Sequence, residues 1–219
     1  MGVDEDLGSW VPRGVIEDLR LMLPLKPKYL DLGCGDGALT VKVAGIVDAS
    51  EVHGVDDDPE ALREASRRGL KVYNCDLNRD ALPFSDGYFD LATAFEVVEH
   101  LENPSHMLRE AFRVLRRGGV LVLETPNIAG CASRFLADQL KMALLFRCEV
   151  DSLIPPREGR GFNPQSLRLE LRQCGFEVYR VLGVSHRPLD MPTPSLLVEE
   201  VREGSTSSAP HIVAIARRP

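Results

Sequence analysis

At 219 residues the chain has the size of one ordinary α/β domain, and its 44% hydrophobic and 27% charged content excludes wholesale disorder. The formal net charge is -7, split unevenly: 22 acids against 11 bases in residues 1–110, then 11 acids against 15 bases in residues 111–219. That balance disfavours broad nucleic-acid binding while leaving room for an anionic ligand in the second half, and no apolar run approaches the roughly 18 residues of a membrane span.

The acidic start from Met1 to Asp6 lacks a basic-then-apolar leader, so a cytoplasmic chain is expected. Cys34, Cys75, Cys131, Cys148 and Cys174 are scattered and never spaced Cys-x-x-Cys, which fits a reducing compartment better than a disulfide framework. Strands are predicted at 29–32, 52–56, 71–76, 89–95 and 120–124. These are continuous apolar runs, as strands covered on both faces should be. Helical patterns alternate with them, the signature of βαβ units. Two more strands are predicted at 176–184 and 211–216. The expected fold is therefore a doubly wound, Rossmann-like α/β domain over 1–219. Its seven-stranded sheet is mostly parallel, with an antiparallel last strand.

Three helix starts share one chemistry: Asp58-Pro59, Asn103-Pro104 and Asn163-Pro164. An Asx side chain caps free N–H groups, and proline at the first helical position loses no hydrogen bond. Two regions depart from the scaffold pattern. Residues 127–162 read as an amphipathic helix (132–146) with a Pro/Gly/Arg-rich loop, and the proline-rich 185–210 as a mobile connection. Both are expected on the acceptor side of the domain.

The run Tyr29-Leu30-Asp31-Leu32-Gly33-Cys34-Gly35-Asp36-Gly37-Ala38 is a strand, a glycine turn and a helix start. Glycine is needed where φ is positive or where backbone must touch a ligand. Read strictly, Gly33-x-Gly35-x-x-Ala38 also satisfies the dinucleotide fingerprint, and a nicotinamide-dependent oxidoreductase is the alternative it supports. Asp56, 23 residues after Gly33, stands where a ribose-hydroxyl acceptor belongs. A pyrophosphate, however, needs the helix N-terminus free of competing anions, and Asp36 sits there. A nucleoside ligand with cationic centres and a single carboxylate suits this acidic rim better. No Tyr-x-x-x-Lys pair or second nucleotide-binding half accompanies the fingerprint.

With Leu30–Gly37, Val55–Asp58 before Pro59, Asp76 through Leu82-Pro83-Phe84, Tyr88-Phe89-Asp90, Phe95–Leu101, Val114–Gly119 and Thr125-Pro126-Asn127 in this order, the sequence resembles a class I S-adenosylmethionine-dependent methyltransferase over about residues 29–184. The resemblance implies S-adenosylmethionine as cofactor. The backbone of Gly33, Cys34 and Gly35 would lie against its methionyl part, with Asp31 near its ammonium. Asp56 would accept from both ribose hydroxyls, and Asp57 would edge the adenine. Asp76 would accept from the adenine amino group while the Leu77 amide donates to the ring, and Phe95, at the end of the fourth strand, would sit by the cofactor and the incoming acceptor. Arg117 stands where many relatives have proline.

Methyl transfer is an in-line displacement that owes much to alignment, with a base or metal needed where a hydroxyl must lose its proton. The candidates are Glu96 and His100 as catalytic groups, from Phe95-Glu96-Val97-Val98-Glu99-His100-Leu101. On a helix starting near Glu96, Glu96, Glu99 and His100 share one side and can bind a divalent ion. This Glu-x-x-Glu-His resembles the metal-binding triplet of ubiquinone-biosynthesis O-methyltransferases and of small-RNA 3′-end 2′-O-methyltransferases. A metal-dependent RNA 2′-O-methyltransferase is thus a further alternative. Its downstream histidine is missing, for residues 156–162 read Pro-Arg-Glu-Gly-Arg-Gly-Phe. The same Glu-His-Leu is frequent in small-molecule methyltransferases without a metal. Arg134, Arg147, Arg157, Arg160 and Arg187 fall in the two acceptor-side regions and suit phosphate or carboxylate. The expected acceptor is a small molecule, anionic in character and methylated on a hydroxyl.

Overall fold

The computed structural model describes residues 12–130, 161–186, 196–205 and 207–219. The predicted helix 132–146 and the five arginines named above lie outside the described residues. In chain order the elements are α1 (Arg13–Met22), β1 (Lys28–Leu32), α2 (Ala38–Val47), β2 (Glu51–Asp56), α3 (Pro59–Arg67), β3 (Lys71–Asn74) and β4 (Phe89–Phe95). A 3₁₀ turn (Val98–His100) follows, then α4 (Pro104–Val114), β5 (Leu115–Pro126), α5 (Pro164–Gln173), β6 (Glu177–His186), β7 (Leu196–Glu200) and β8 (His211–Arg217).

The strands form one sheet in the order β3-β2-β1-β4-β5-β8-β6-β7. From β3 to β5 every pairing is parallel. β8 runs antiparallel between β5 and β6, and β7 pairs antiparallel with β6 at the edge. The sheet therefore has eight strands rather than the expected seven, and two of them, β7 and β8, run against the rest. β7 lies inside 185–210, where the prolines around it read as a loop. An edge strand needs only one pairing partner, and the exposed Glu199 and Glu200 give it the charge such edges carry. β3 stops at Asn74, two residues short of its expected end, whereas β5 starts at Leu115, five residues early.

Alternation along the strands explains the three layers. Tyr29, Leu91, Val120, Val122, Val213 and Ile215 face Val15 and Leu19 of α1 and Val43 of α2. Their neighbours Leu30, Ala92, Leu121, Leu123 and Ala214 face the other way, onto Met107, Leu108 and Ala111 of α4 and Leu167 and Leu171 of α5. Two of the three expected Asx caps form. Asp58 accepts from the Glu60 amide at 2.8 Å, and Asn163 makes a full capping box with Ser166. Asn103 makes no side-chain cap bond, although Pro104 still starts α4.

Candidate functional site

The strand order reverses between β1 and β4, the point at which doubly wound sheets bind ligands beyond their carboxyl ends. An open cleft lies there. Gly33 lines it from the turn after β1, Asp56 and Asp57 from the end of β2, Cys75 through Asn78 from the segment after β3, and Glu96, Val97, His100 and Leu101 from the segment after β4.

Asp56 organises this end of the sheet. Its Oδ2 accepts from the Gly35 amide at 2.8 Å and its Oδ1 from the Asp58 amide at 3.0 Å, tying the glycine turn to the start of α3. Each carboxylate oxygen keeps a further lone pair for a ligand. The amides of Gly33 and Cys34 donate to the Val55 carbonyl at 2.8 and 3.0 Å, so β2 grips the turn from both backbone and side chain. Gly33 has φ +72°, and a Cβ there would come within 2.5 Å of Val97 Cγ2. The residue must be glycine both to take that conformation and to let Val97 close over it.

The sequence-predicted residues divide in two. Gly33, Asp56, Asp57, Asp76, Leu77, Glu96 and His100 line the cleft. Asp76 Oδ1 accepts from the Asn78 amide at 2.8 Å, and its Oδ2 lies 3.3 Å from Arg79 Nε. Gly35 serves the cleft through its bond to Asp56.

Asp31, Cys34, Phe95 and Glu99 are not among the lining residues. Strand alternation puts Asp31 on the α2 side of the sheet, 4% exposed, where Thr40 and Thr93 hydroxyls both donate to its carboxylate at 2.5 Å. Burial pushes its carboxyl up from 3.8 to about 6, against the pull of those two bonds. It braces β1 against α2 and β4 through those two bonds. Cys34 is buried, with burial and then the Asp31 and Asp56 charges pushing its thiol up to about 12, so it is a packing residue rather than a nucleophile. Phe95 packs with the α1/α2 side of the core.

The predicted helix from Glu96 does not form; only Val98–His100 make a 3₁₀ turn. Glu96 instead has φ +55°, with its amide donating to the Glu124 carbonyl at 3.1 Å, so it prolongs the β4–β5 ladder by one residue. Among the described residues, the group whose donor atoms come together is Glu96, Glu124 and His211, all within 4.8 Å of one another, rather than Glu96, Glu99 and His100. Glu99 accepts from Thr125 Oγ1 at 3.0 Å. Burial raises the carboxyl of Glu96, with Glu124 adding to it, and burial likewise raises Glu99. The hydrogen bond to Glu124 raises His211.

Sequence reasoning missed Val97 as the wall over Gly33, Asn78 as a lining residue, and both Glu124 and His211. Val97 sits inside the motif already singled out. Glu124 and His211 carry no local signal, because they meet only through the antiparallel β5–β8 register that pairs Pro126 with His211.

The donor set of the cleft decides what it fits. Carboxylates at Asp56, Asp57 and Asp76 accept hydrogen bonds, and no Lys or Arg stands among the described lining residues to neutralise a diphosphate. The helix N-terminus that would bind a pyrophosphate is taken, since Asp36 accepts from the Ala38 amide at 3.0 Å and pairs with Arg68 at 2.7 Å. This donor set favours a ligand rich in donors, with ribose hydroxyls and a cationic amino acid part, over a dinucleotide.

Residues 30–123 match the model of the methyltransferase domain family. The chain is 32% identical over 157 residues to a Mycolicibacterium smegmatis protein named "Probable S-adenosylmethionine-dependent methyltransferase", covering 72% of this chain and 54% of that one. It is 32% identical over 105 residues to the ubiquinone biosynthesis O-methyltransferase of Xanthomonas oryzae, covering 46% of this chain and 43% of that one. The chain thus spans about half the length of the curated relatives it matches. Among solved structures, an S-adenosylmethionine-dependent methyltransferase of Thermotoga maritima superposes with a TM-score of 0.66 at 19% identity, covering 93% of this chain and 87% of that one.

Proposed function

We propose that the class I S-adenosylmethionine-dependent methyltransferase domain carried by this chain methylates a hydroxyl of a small-molecule acceptor. The observation that carries this reading is the acidic cleft at the reversal of strand order, with no Lys or Arg among its described lining residues and Asp56 fixed against the glycine turn. When bound, S-adenosylmethionine supplies a methyl carbon already activated by its sulfonium. The chain's part is to align, to shield and to accept a proton. Asp56 offers its remaining lone pairs to ribose hydroxyls while its two amide bonds keep the carboxylate from swinging away. Asp76 and the Leu77 amide bracket the adenine edge. Val97 and Leu101 give the cleft an apolar wall that keeps water from the reacting carbon. His100, exposed on the same wall, would take the proton that an acceptor hydroxyl releases as its oxygen bonds to the methyl carbon and the carbon–sulfur bond breaks to leave a neutral thioether. Support for oxygen as the methylated atom comes from this proton acceptor and from the likeness to an O-methyltransferase.

The test is calorimetric and then chemical. S-adenosylhomocysteine should bind and NAD(H) should not. Cofactor labelled in its methyl group, offered to phenolic, catecholic and hydroxy-acid metabolites and separately to RNA, should label a small molecule on oxygen. Label appearing in RNA alone, or on nitrogen alone, overturns the acceptor reading. Absent S-adenosylhomocysteine binding overturns the cofactor reading.

A further inference from the structure

We infer that Glu96, Glu124 and His211 form a binding site for one divalent transition-metal ion at the carboxyl edge of the sheet, beside the cleft. This inference is independent of the methyl-transfer reading, because it concerns metal binding alone.

The sheet brings the three residues together from distant points in the chain. Glu96 follows β4, Glu124 lies near the end of β5, and His211 opens β8, which runs antiparallel to β5 and so starts at the same edge. His211 Nδ1 is 2.6 Å from Glu124 Oε1 and 3.0 Å from Glu96 Oε1. A single ring nitrogen carries at most one hydrogen and cannot satisfy both carboxylates. The Glu124 side chain is 3% exposed, yet its Oε2 has no hydrogen-bond partner, and Glu96 Oε1 must share the His211 nitrogen that Glu124 Oε1 already claims. Where Glu96 meets Glu124 and Glu99, acceptor faces acceptor unless a proton or a cation lies between them. A buried carboxylate oxygen left without a partner is costly in a protein interior. Among the described residues three acids crowd here against one imidazole, and Glu99 Oε1 has no hydrogen-bond partner. A doubly charged cation offsets that excess, and one proton on His211 does not.

Ligand atoms at about 2.0–2.2 Å from an ion lie roughly 3–4.4 Å from one another. The three groups offer donor atoms within 4.8 Å of one another, and the 2.6 Å contact between His211 Nδ1 and Glu124 Oε1 lengthens as an ion takes the place of the shared hydrogen. Two carboxylates with one imidazole select a borderline ion such as Zn²⁺ or Mn²⁺ over Mg²⁺ or Ca²⁺, which prefer oxygen alone. Three protein ligands leave a coordination position open. Glu96 also lines the cleft, so that position adjoins the space where an acceptor enters.

The experiment uses the full chain, stripped with a chelator, dialysed, and titrated with Zn²⁺ and separately with Mn²⁺ by calorimetry in buffers of different ionisation enthalpy. The site predicts one equivalent of at least one of these ions bound, with release of about one proton at neutral pH as the metal displaces the shared hydrogen. His211→Ala, at a side chain that is 27% exposed, should retain the circular dichroism of the parent. It should weaken binding by more than the roughly 10–100-fold that loss of a supporting contact costs. Glu124→Gln should do the same, and His100→Ala should bind as the parent does. Failure of the parent chain to bind either ion overturns the proposal and leaves a proton-bridged cluster. Binding that survives in His211→Ala but is lost in His100→Ala also overturns it, assigning the ion to the Glu-x-x-Glu-His triplet instead.

Discussion

Replacing Asp31 with Asn isolates what a buried carboxylate costs beneath the cofactor turn. Asp31 is held by the hydroxyls of Thr40 and Thr93, and Thr93 in turn shares a 2.7 Å bond with the Tyr29 hydroxyl. Burial raises the Asp31 carboxyl from 3.8 to about 6. Its folded-state value therefore lies above its unfolded one, so its contribution to stability is fully present below about pH 4. That contribution is lost as pH rises to about 6 and is level above, because the unfolded chain ionises first. A shift of about two units amounts to about 3 kcal/mol, falling at about 1.4 kcal/mol per pH unit. The amide of Asn is nearly isosteric: its oxygen accepts from one threonine while its NH₂ donates to the other, whose hydroxyl turns to accept. Urea unfolding of both proteins from pH 3.5 to 8 should give a stability difference, parent minus Asp31→Asn, that declines by about 3 kcal/mol between pH 4 and 6.5 and then stays flat. Groups common to both proteins, including the cluster around Glu96, cancel in that difference. A pH-independent difference, or one that rises with pH, would refute the burial argument.

Three further outcomes are expected. Asp56→Asn removes the charge that holds the Gly35 amide and, in the proposed reading, the ribose hydroxyls, and should weaken S-adenosylhomocysteine binding by about 1.5–3 kcal/mol, roughly 10- to 100-fold by calorimetry; unchanged affinity would show that the ribose is held elsewhere. Gly33→Ala meets both a φ of +72° and the Val97 side chain, and should lower the unfolding free energy by about 2–4 kcal/mol. Adding Val97→Ala should relieve the collision but not the backbone strain, so a double-mutant cycle showing no coupling between the two would count against the contact. Asn163→Ala should cost about 1 kcal/mol in chemical denaturation through loss of its capping box, whereas Asn103→Ala, which removes no cap bond, should cost far less; equal costs would contradict the cap geometry.

Much of the scaffold was legible because its signals are local. A continuous apolar run such as Phe89–Phe95 must be covered on both faces, and Asp58-Pro59 and Asn163-Pro164 announce helices through bonds formed within three residues. The cleft followed from the same logic. Gly33 turns the chain after β1, and Asp56 closes β2 on the neighbouring strand, so both reach one edge once the strands are parallel. β7 escaped because edge pairing on β6 supplies its order and its own residues do not advertise it.

Sequence by itself determined the α/β class, the glycine turn, the acid at the end of β2 and the apolar faces, since each is written in the spacing of neighbours along the backbone. Only the tertiary structure decided that Asp31 turns inward to two threonines, that Glu96 leaves the helical path at φ +55°, and that Glu124 meets His211 across 87 residues of chain. Those outcomes depend on strand register and on which side of the sheet each side chain faces. Both are set by packing between remote segments rather than by any pattern within one.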